Sequence, residues 1–252
     1  MAKKKGKQKQ SAFRKYIRVL WGIFLLGVTG IIVLFGGAAL GIFGPMPDLQ
    51  QLENPRTNLA TQIISSDGTI LGKYYFDDNR TPIGFDEIPT DMVEALIATE
   101  DERFYDHAGI DWRGTLRAFV FLGKRGGAST ITQQLARQIF VGVRSRNVLK
   151  TIFQKAQEWV IAVQLEQRYT KKEIMAMYLN KYDFGYKADG TSSEAKIFFN
   201  ITLHELSIEE SAMLVGMLKN SFLLNPIRRP ERVKERRKIV FTQMVRNKRT
   251  TE

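Results

Sequence analysis

The sequence predicts a mainly α protein: one helical domain carrying a small β-hairpin, preceded by a single N-terminal transmembrane helix. Three observations predict it. Residues 19–43 carry no charge and are rich in Leu, Ile, Val, Phe and Gly. From Pro89 onward, apolar residues recur at helical spacing between repeated capping signals. Residues 61–76 show the turn-centred pattern of two paired strands.

The first 18 residues are a basic tail with eight Lys or Arg and no acid, so most of the net charge of +12 sits there. The basic excess is therefore not a nucleic-acid-binding face, and no nucleic acid is expected as a partner. The run 19–43 exceeds the ~20 apolar residues that span a bilayer core. With the tail before it, the positive-inside rule puts residues 1–18 in the cytoplasm and the bulk of the chain on the outer face of the membrane. A cleaved signal peptide is the competing reading, but the run is long for a signal core and Gly37-Ala38-Ala39 is a poor cleavage site. Gly37 and Gly41 form a GxxxG pair of the kind that pairs helices.

Gly44-Pro45-Met46-Pro47 ends the span, and residues 44–60 read as a juxtamembrane linker. In the hairpin, Thr61 to Phe76, Ile63, Ile64, Ile70, Leu71, Tyr74 and Tyr75 flank the turn Ser66-Asp67-Gly68-Thr69. Thr90 or Asp91 caps a helix with Met92, Val93, Leu96 and Ile97 inward, ending on Glu100. Asp111 caps a helix to about Leu122, and Gly126-Gly127 breaks the chain. Thr130-x-x-Gln133 is a capping box for a helix to about Phe140. Residues 148–168 predict the longest helix of the domain. Its apolar stripe is Ile152, Ala156, Trp159, Val160 and Val163, with Thr151, Lys155 and Glu158 on the other side. Boxes at Thr170–Glu173, Thr202–Glu205 and Ser207–Glu210 open further helices, and Pro230 opens the last, to about Asn247. Residues 61–252 thus read as one domain.

Chemistry concentrates in two strings. Glu100 to Gly109 places Glu100, Asp101 and Glu102 at a helix end, followed by Phe104, His107 and Gly109. A base for a sugar hydroxyl must be a positioned carboxylate or imidazole. Glu100 is the leading candidate, because a cleft wall and the helix C-terminus both disfavour its anion. A solvated acidic helix end is the plainer reading of the same residues. Gly127 to Gln134 is rich in hydroxyls and amides, more than a cap requires, at a helix N-terminus that favours anions. Arg137, Lys150 and Lys155 follow and could hold a diphosphate by charge-assisted bonds, or could simply face solvent. Glu158 lies one turn from Lys155, which on the residues alone reads as an ordinary i,i+3 ion pair. The chain has no cysteine and only two histidines, in unrelated contexts, so thiolate and His-based metal sites are not expected. Ser193-x-x-Lys196 fits the serine acyl-transferase motif but lacks the K-T-G partner, and is set aside.

Together these strings resemble the peptidoglycan glycosyltransferases of glycosyltransferase family 51, found in class A penicillin-binding proteins and in monofunctional enzymes. The resemblance covers roughly residues 61–247. Glu100-Asp101-x-x-Phe104-x-x-His107-x-Gly109 and Gly127 to Gln134 match the family's first two motifs intact. Gln154 to Glu158, Ile174 to Asn180 and Arg236 to Met244 match the third, fourth and fifth in looser form. The resemblance implies a lysozyme-like fold and a bacterial cytoplasmic-membrane location. It implies polymerisation of lipid II into glycan strands with release of undecaprenyl diphosphate, as an inverting reaction. Glu100 maps to the base and Glu158 to the second carboxylate. Asp101, Phe104, His107, Ser129, Thr130, Gln133, Gln134, Arg137, Lys150 and Lys155 map to substrate binding. No cofactor is certain, though a divalent metal, Mg or Mn, fits the family. Partners are lipid II, the growing strand, the membrane and cell-wall synthesis proteins.

The departures cluster on the leaving-group side. Gln154 stands where the family has arginine, Gln157 fills an often basic position, and Ala176 replaces a glutamate. The loop between Gln134 and Glu158 is longer than usual and carries Arg144 and Arg146. Two other readings stand beside the polymerase: a lysozyme-like glycan-cleaving enzyme, and a non-catalytic domain that binds lipid II or scaffolds cell-wall proteins. No transpeptidase domain follows the fifth motif, which leaves a monofunctional enzyme or a fragment. Exposed Phe119, Phe121, Ile139, Phe140 and Val141 are candidates to dip into the bilayer, against plain core packing.

Overall fold

The computed structural model describes residues 2–44, 61–67, 70–74, 83–121, 127–182 and 190–250, with 2–12, 61–63 and 70–74 as backbone only. The expected linker beyond Gly44, the turn residues Gly68 and Thr69, Tyr75, Phe76, Leu122 and Gly126 lie outside the described residues.

Helix α1 (Ala2–Ala39) contains the apolar segment Phe13–Ala39, with mean hydropathy 2.4 and no burial in its most apolar stretch. It is long and apolar enough to cross a membrane. Its end departs from the sequence expectation. The helix stops at Ala39, Gly41 takes φ +74°, and the Ile42 N–H donates back to the Gly37 carbonyl at 2.9 Å, a glycine stop. Gly37 faces the Phe43 ring and Gly41 lies past the helix end, so the pair makes no helix-pairing face. The turn instead docks the anchor on the domain.

Strands β1 (Thr61–Ile64) and β2 (Ile70–Tyr74) pair antiparallel as expected, with a bulge where Ile64 meets Ile70. Helix α2 (Thr90–Glu100) has Pro89, not Thr90 or Asp91, at its N-cap position. Proline's fixed φ and missing N–H suit a helix start. Met92, Val93, Leu96 and Ile97 are all buried, each contributing about 1.5–3 kcal/mol. Asn247 donates to the Ala98 carbonyl at 3.0 Å and closes the end that carries Glu100.

Helix α3 is Trp112–Val120. Asp111 sits at its N-cap position, but its carboxylate is held by Arg103 at 2.5 Å. Helix α4 (Ile131–Ala136) widens into a π-turn, Arg137–Val141, that Gly142 ends at φ +74°. Helix α5 is Val148–Arg168, α6 Lys171–Lys181, α7 Thr191–Phe199, α8 Ile208–Met217 and α9 Pro230–Arg246. Thr202 opens only a single 3-10 turn, Leu203–Glu205. Helix α7 has no counterpart in the sequence reading. Its start, Thr191-Ser192-Ser193, looks like a loop, but Thr191, Ser193 and Ala195 are buried, and Gly190 at φ +86° lets the chain approach the Asn180 carbonyl.

Helices α2, α4, α5, α6, α8 and α9 share one apolar core. Of the apolar stripe expected on α5, only Ala156 is buried in the core. Ala156, Ile161, Ala162 and Leu165 face the core, and Glu158 is buried with them. Trp159 instead meets the anchor: Phe35 lies 5.6 Å from it on one side and Trp112 5.6 Å on the other. Phe43 stacks on Phe153 at 4.3 Å. The apolar surface expectation divides. Phe119 is 80 % exposed and Phe121 exposed, whereas Ile139, Phe140 and Val141 pack against the core. Trp112, Leu116 and Val120 extend the exposed face along α3, and Val148, Leu149 and Ile152 along α5.

Candidate active site

Glu100 and Glu158 sit on two flanks of α4. Adjacent residues of that helix serve both: Gln134 reaches Glu100, and Gln133 joins the network of Glu158.

Glu100 opens into a cleft of about 440 Å³, lined also by Ser129, Gln134, Arg117, Lys219, Arg236, Gln243 and Arg246. Its Oε2 accepts from Gln134 Nε2 at 3.0 Å, and its Oε1 lies 3.7 Å from the Arg236 guanidinium. Asp101 and Glu102 line the cleft too, so the acid is positioned in a polar cleft of mixed charge rather than lost on a solvated helix end. Arg236 belongs to the fifth motif string, but no spacing rule links it to Glu100. Only the packing of α9 beside α2 brings them together.

The rest of the first string works from behind. Both Asp101 oxygens meet His107 Nε2 at 3.1 Å, and Oδ2 accepts the Ile131 N–H at 3.0 Å, so the buried acid ties the loop to the start of α4. The Gly109 carbonyl accepts from Thr130 Oγ1 at 2.7 Å and Gln133 Nε2 at 3.2 Å. Thr130 does cap α4, through the Gln133 N–H, but the Gln133 side chain turns to Gly109 and does not complete a box. Phe104 and Gln133 are 0 % exposed, and Thr130 is buried as well. These residues were expected to bind substrate. Asp101 lines the cleft, whereas Phe104, His107, Thr130 and Gln133 pack behind it, with His107 lining a separate cavity beside Ile110 and Asp111. Ser129 and Gln134 reach the cleft.

Gly109 shows how close the packing is. It holds φ +87°, and a Cβ there would lie 2.9 Å from the Ala162 carbonyl carbon. Gly109→Ala is expected to cost about 2–3 kcal/mol from strain and backbone clash, read as a lower urea midpoint.

On the other flank, Lys155 Nζ donates to Ser129 Oγ at 2.8 Å, Gln133 Oε1 at 3.0 Å and Glu158 Oε2 at 2.8 Å. Glu158 is 1 % exposed, so this is a buried ion pair and not the surface pair its spacing suggested. Burial pushes the Lys155 ammonium below its ordinary value, Glu158 opposes that, and Arg144 and Arg137 push it down further. Arg144 stands 3.8 Å from Glu158 Oε2. Gln154 holds the segment that carries Arg144: its amide donates to the Val143 carbonyl at 3.1 Å and accepts the Ser145 N–H at 2.9 Å. Arg137, Arg144 and Lys181 line an adjoining cleft of about 660 Å³. Lys150 is exposed in the first turn of α5, about 140° around the helix from Lys155, and is not brought into this cluster. Among the described residues, no group of three or more His, Asp or Glu is placed to hold a metal.

A helical domain with an acid in an open polar cleft, and a second acid buried among cations, has the two-carboxylate arrangement of sugar-active proteins. A family profile described as Transglycosylase matches residues 67–245. The chain belongs to that transglycosylase family. It is 37 % identical over 230 residues to penicillin-binding protein 1A of Escherichia coli, covering 88 % of this chain and 26 % of the relative. Against penicillin-binding protein 1A of Haemophilus influenzae it is 40 % identical over 191 residues, covering 74 % and 22 %. Against penicillin-binding protein 1A/1B of Bacillus subtilis the figures are 36 % over 248 residues, 96 % and 26 %. The chain spans about a quarter of the length of these relatives. Among solved structures, that of the Haemophilus protein aligns with a TM-score of 0.42 at 23 % identity, covering 77 % of this chain and 19 % of that one.

Proposed function

We propose that this chain polymerises lipid II at the outer face of the bacterial cytoplasmic membrane, with Glu100 as the general base. The observation that carries the reading is the division of labour across α4. One flank offers an acid open to a cleft; the other gathers Lys155 and Arg144 at the single carboxylate of Glu158, with Arg137 close enough to act on Lys155.

Glu100 takes the proton from the 4-hydroxyl of the acceptor's GlcNAc. That oxygen attacks C1 of the donor strand's MurNAc, the configuration inverts from α to β, and undecaprenyl diphosphate leaves. The cations on the far flank outnumber Glu158 and suit a departing diphosphate. Glu158 keeps Lys155 charged and aimed at Ser129. Arg144 supplies a cation where Gln154 does not, and Gln154 holds the backbone on either side of it. Donor and acceptor both carry lipid tails, so a domain docked on its anchor, with an apolar face continuing along α3 and α5, meets them in two dimensions. The basic tail, residues 1–18, supports a cytoplasmic N-terminus by the positive-inside rule. Residues 61–252 form the catalytic domain, and cell-wall synthesis proteins are its expected partners.

Labelled lipid II in detergent tests the reading. A growing ladder of glycan products is the expected result. Cleavage of preformed glycan without polymerisation would indicate a lysozyme-like enzyme, and binding without turnover a scaffold. Gln154→Ala is expected to raise the KM for lipid II about three- to tenfold with a smaller change in kcat, since it loosens the Arg144 segment rather than the base. Initial rates over a range of lipid II concentrations measure it.

A further inference from the structure

Behind Glu100 lies a hydrogen-bonded pair of groups that the proposed reaction does not use. Gln134 Nε2 donates to Glu100 Oε2 at 3.0 Å, and the Tyr178 hydroxyl donates to Gln134 Oε1 at 3.1 Å. Tyr178 belongs to α6, is fully buried and does not line the cleft. The terminal amide of Gln134 has two orientations, related by a half-turn that exchanges its oxygen and its NH2. A carboxylate only accepts, so the useful orientation turns the NH2 toward Glu100 and leaves the oxygen facing inward, in need of a donor. A buried phenol is such a donor as long as it keeps its proton. Burial, and then the nearby charge of Glu100, push the Tyr178 hydroxyl well above its ordinary value, so it stays protonated.

We propose that Tyr178 is a positioning residue for the base: it fixes the amide of Gln134, and through it the carboxylate of Glu100. With Oε2 committed to Gln134, Oε1 is left for the acceptor's proton, approached by Arg236 only to 3.7 Å. Without the phenol, the inward oxygen of Gln134 loses the donor that holds it. The flipped amide, which presents oxygen to carboxylate, then becomes competitive, and the base loses its fixed aim. Substrate binding changes little, because Tyr178 does not line the cleft and touches it only through Gln134.

The inference rests on Glu100 being the base, and the test separates the two. Tyr178→Phe keeps the ring and removes only the donor. Polymerisation kinetics of the full chain are measured for the wild type, Tyr178→Phe, Gln134→Ala and the double variant, with Glu100→Gln alongside. Tyr178→Phe is expected to lower kcat about tenfold while KM for lipid II stays within about twofold. In the Gln134→Ala background it is expected to have no further effect, since the group it acts through is gone. An unchanged kcat, a loss confined to KM, or a tenfold loss that persists in the Gln134→Ala background overturns the proposal. An active Glu100→Gln overturns the base reading itself. An inactive Glu100→Gln with additive losses at Tyr178 and Gln134 overturns the positioning role alone.

Discussion

Glu100→Gln is expected to leave a folded protein whose polymerisation of lipid II is slower by about 10³-fold. The substitution is nearly isosteric. An amide at this position still accepts from Gln134 through its oxygen, and the side chain stands at a cleft rather than in the core, so the fold loses little. What disappears is the capacity to take a proton from a sugar hydroxyl. The general-base contribution alone supplies two to four orders of magnitude in enzymes of this kind, so the loss is chemical and falls on kcat. The measurement is a gel of glycan products from labelled lipid II, with thermal melts to show that the variant is folded. A variant that still builds long strands at near wild-type rates would remove Glu100 from the reaction.

Lys155→Met is expected to damage both stability and turnover. Lys155 makes three donor contacts of 2.8–3.0 Å, and one of them is to a carboxylate with 1 % of its surface exposed. Removing the cation leaves that charge buried and unpaired, a loss of about 3–5 kcal/mol. Arg144, at 3.8 Å from the same oxygen and itself half in solvent, is a weak replacement. The urea midpoint measures the first effect and product formation the second. Adding Glu158→Gln to Lys155→Met is expected to restore a large part of the stability but none of the activity, because the buried charge has gone with its partner. Strictly additive destabilisation would show that the pair is not coupled.

Much of this was legible in the order of the residues. The anchor was readable because a bilayer core demands a long uncharged run, and nothing in residues 19–43 breaks it. The helices of the domain were readable where short-range chemistry marks their ends: Thr170–Glu173 and Ser207–Glu210 form the boxes expected of them. Helix α7 escaped because its opening residues are small and polar. They are buried for want of bulk rather than by hydrophobicity, and periodicity of apolar residues does not detect that. The stripe on α5 was misassigned for a related reason. The helix has two apolar faces, one for the core and one for the anchor, and spacing does not say which is which.

The residue types of the candidate site can be read from sequence, and their depth cannot. Glu100 to Gly109 and Gly127 to Gln134 carry their meaning in local spacing, which a helix end and a capped helix start turn directly into position. Burial and partnership are long-range. Glu158 is an exposed-looking neighbour of Lys155 along the chain, yet it is sealed by the packing of α5 against α4. Arg236 meets Glu100 from a helix more than a hundred residues away, and Tyr178 meets Gln134 from α6. The membrane-spanning run, the capped helices and the identity of the leading acid therefore follow from the chain's own order, since each rests on residues within a turn or two of one another. Which acid faces the cleft, which is buried among cations, and which buried phenol bonds the glutamine beside Glu100 are set by how distant helices pack, because desolvation and hydrogen bonding depend on neighbours in space.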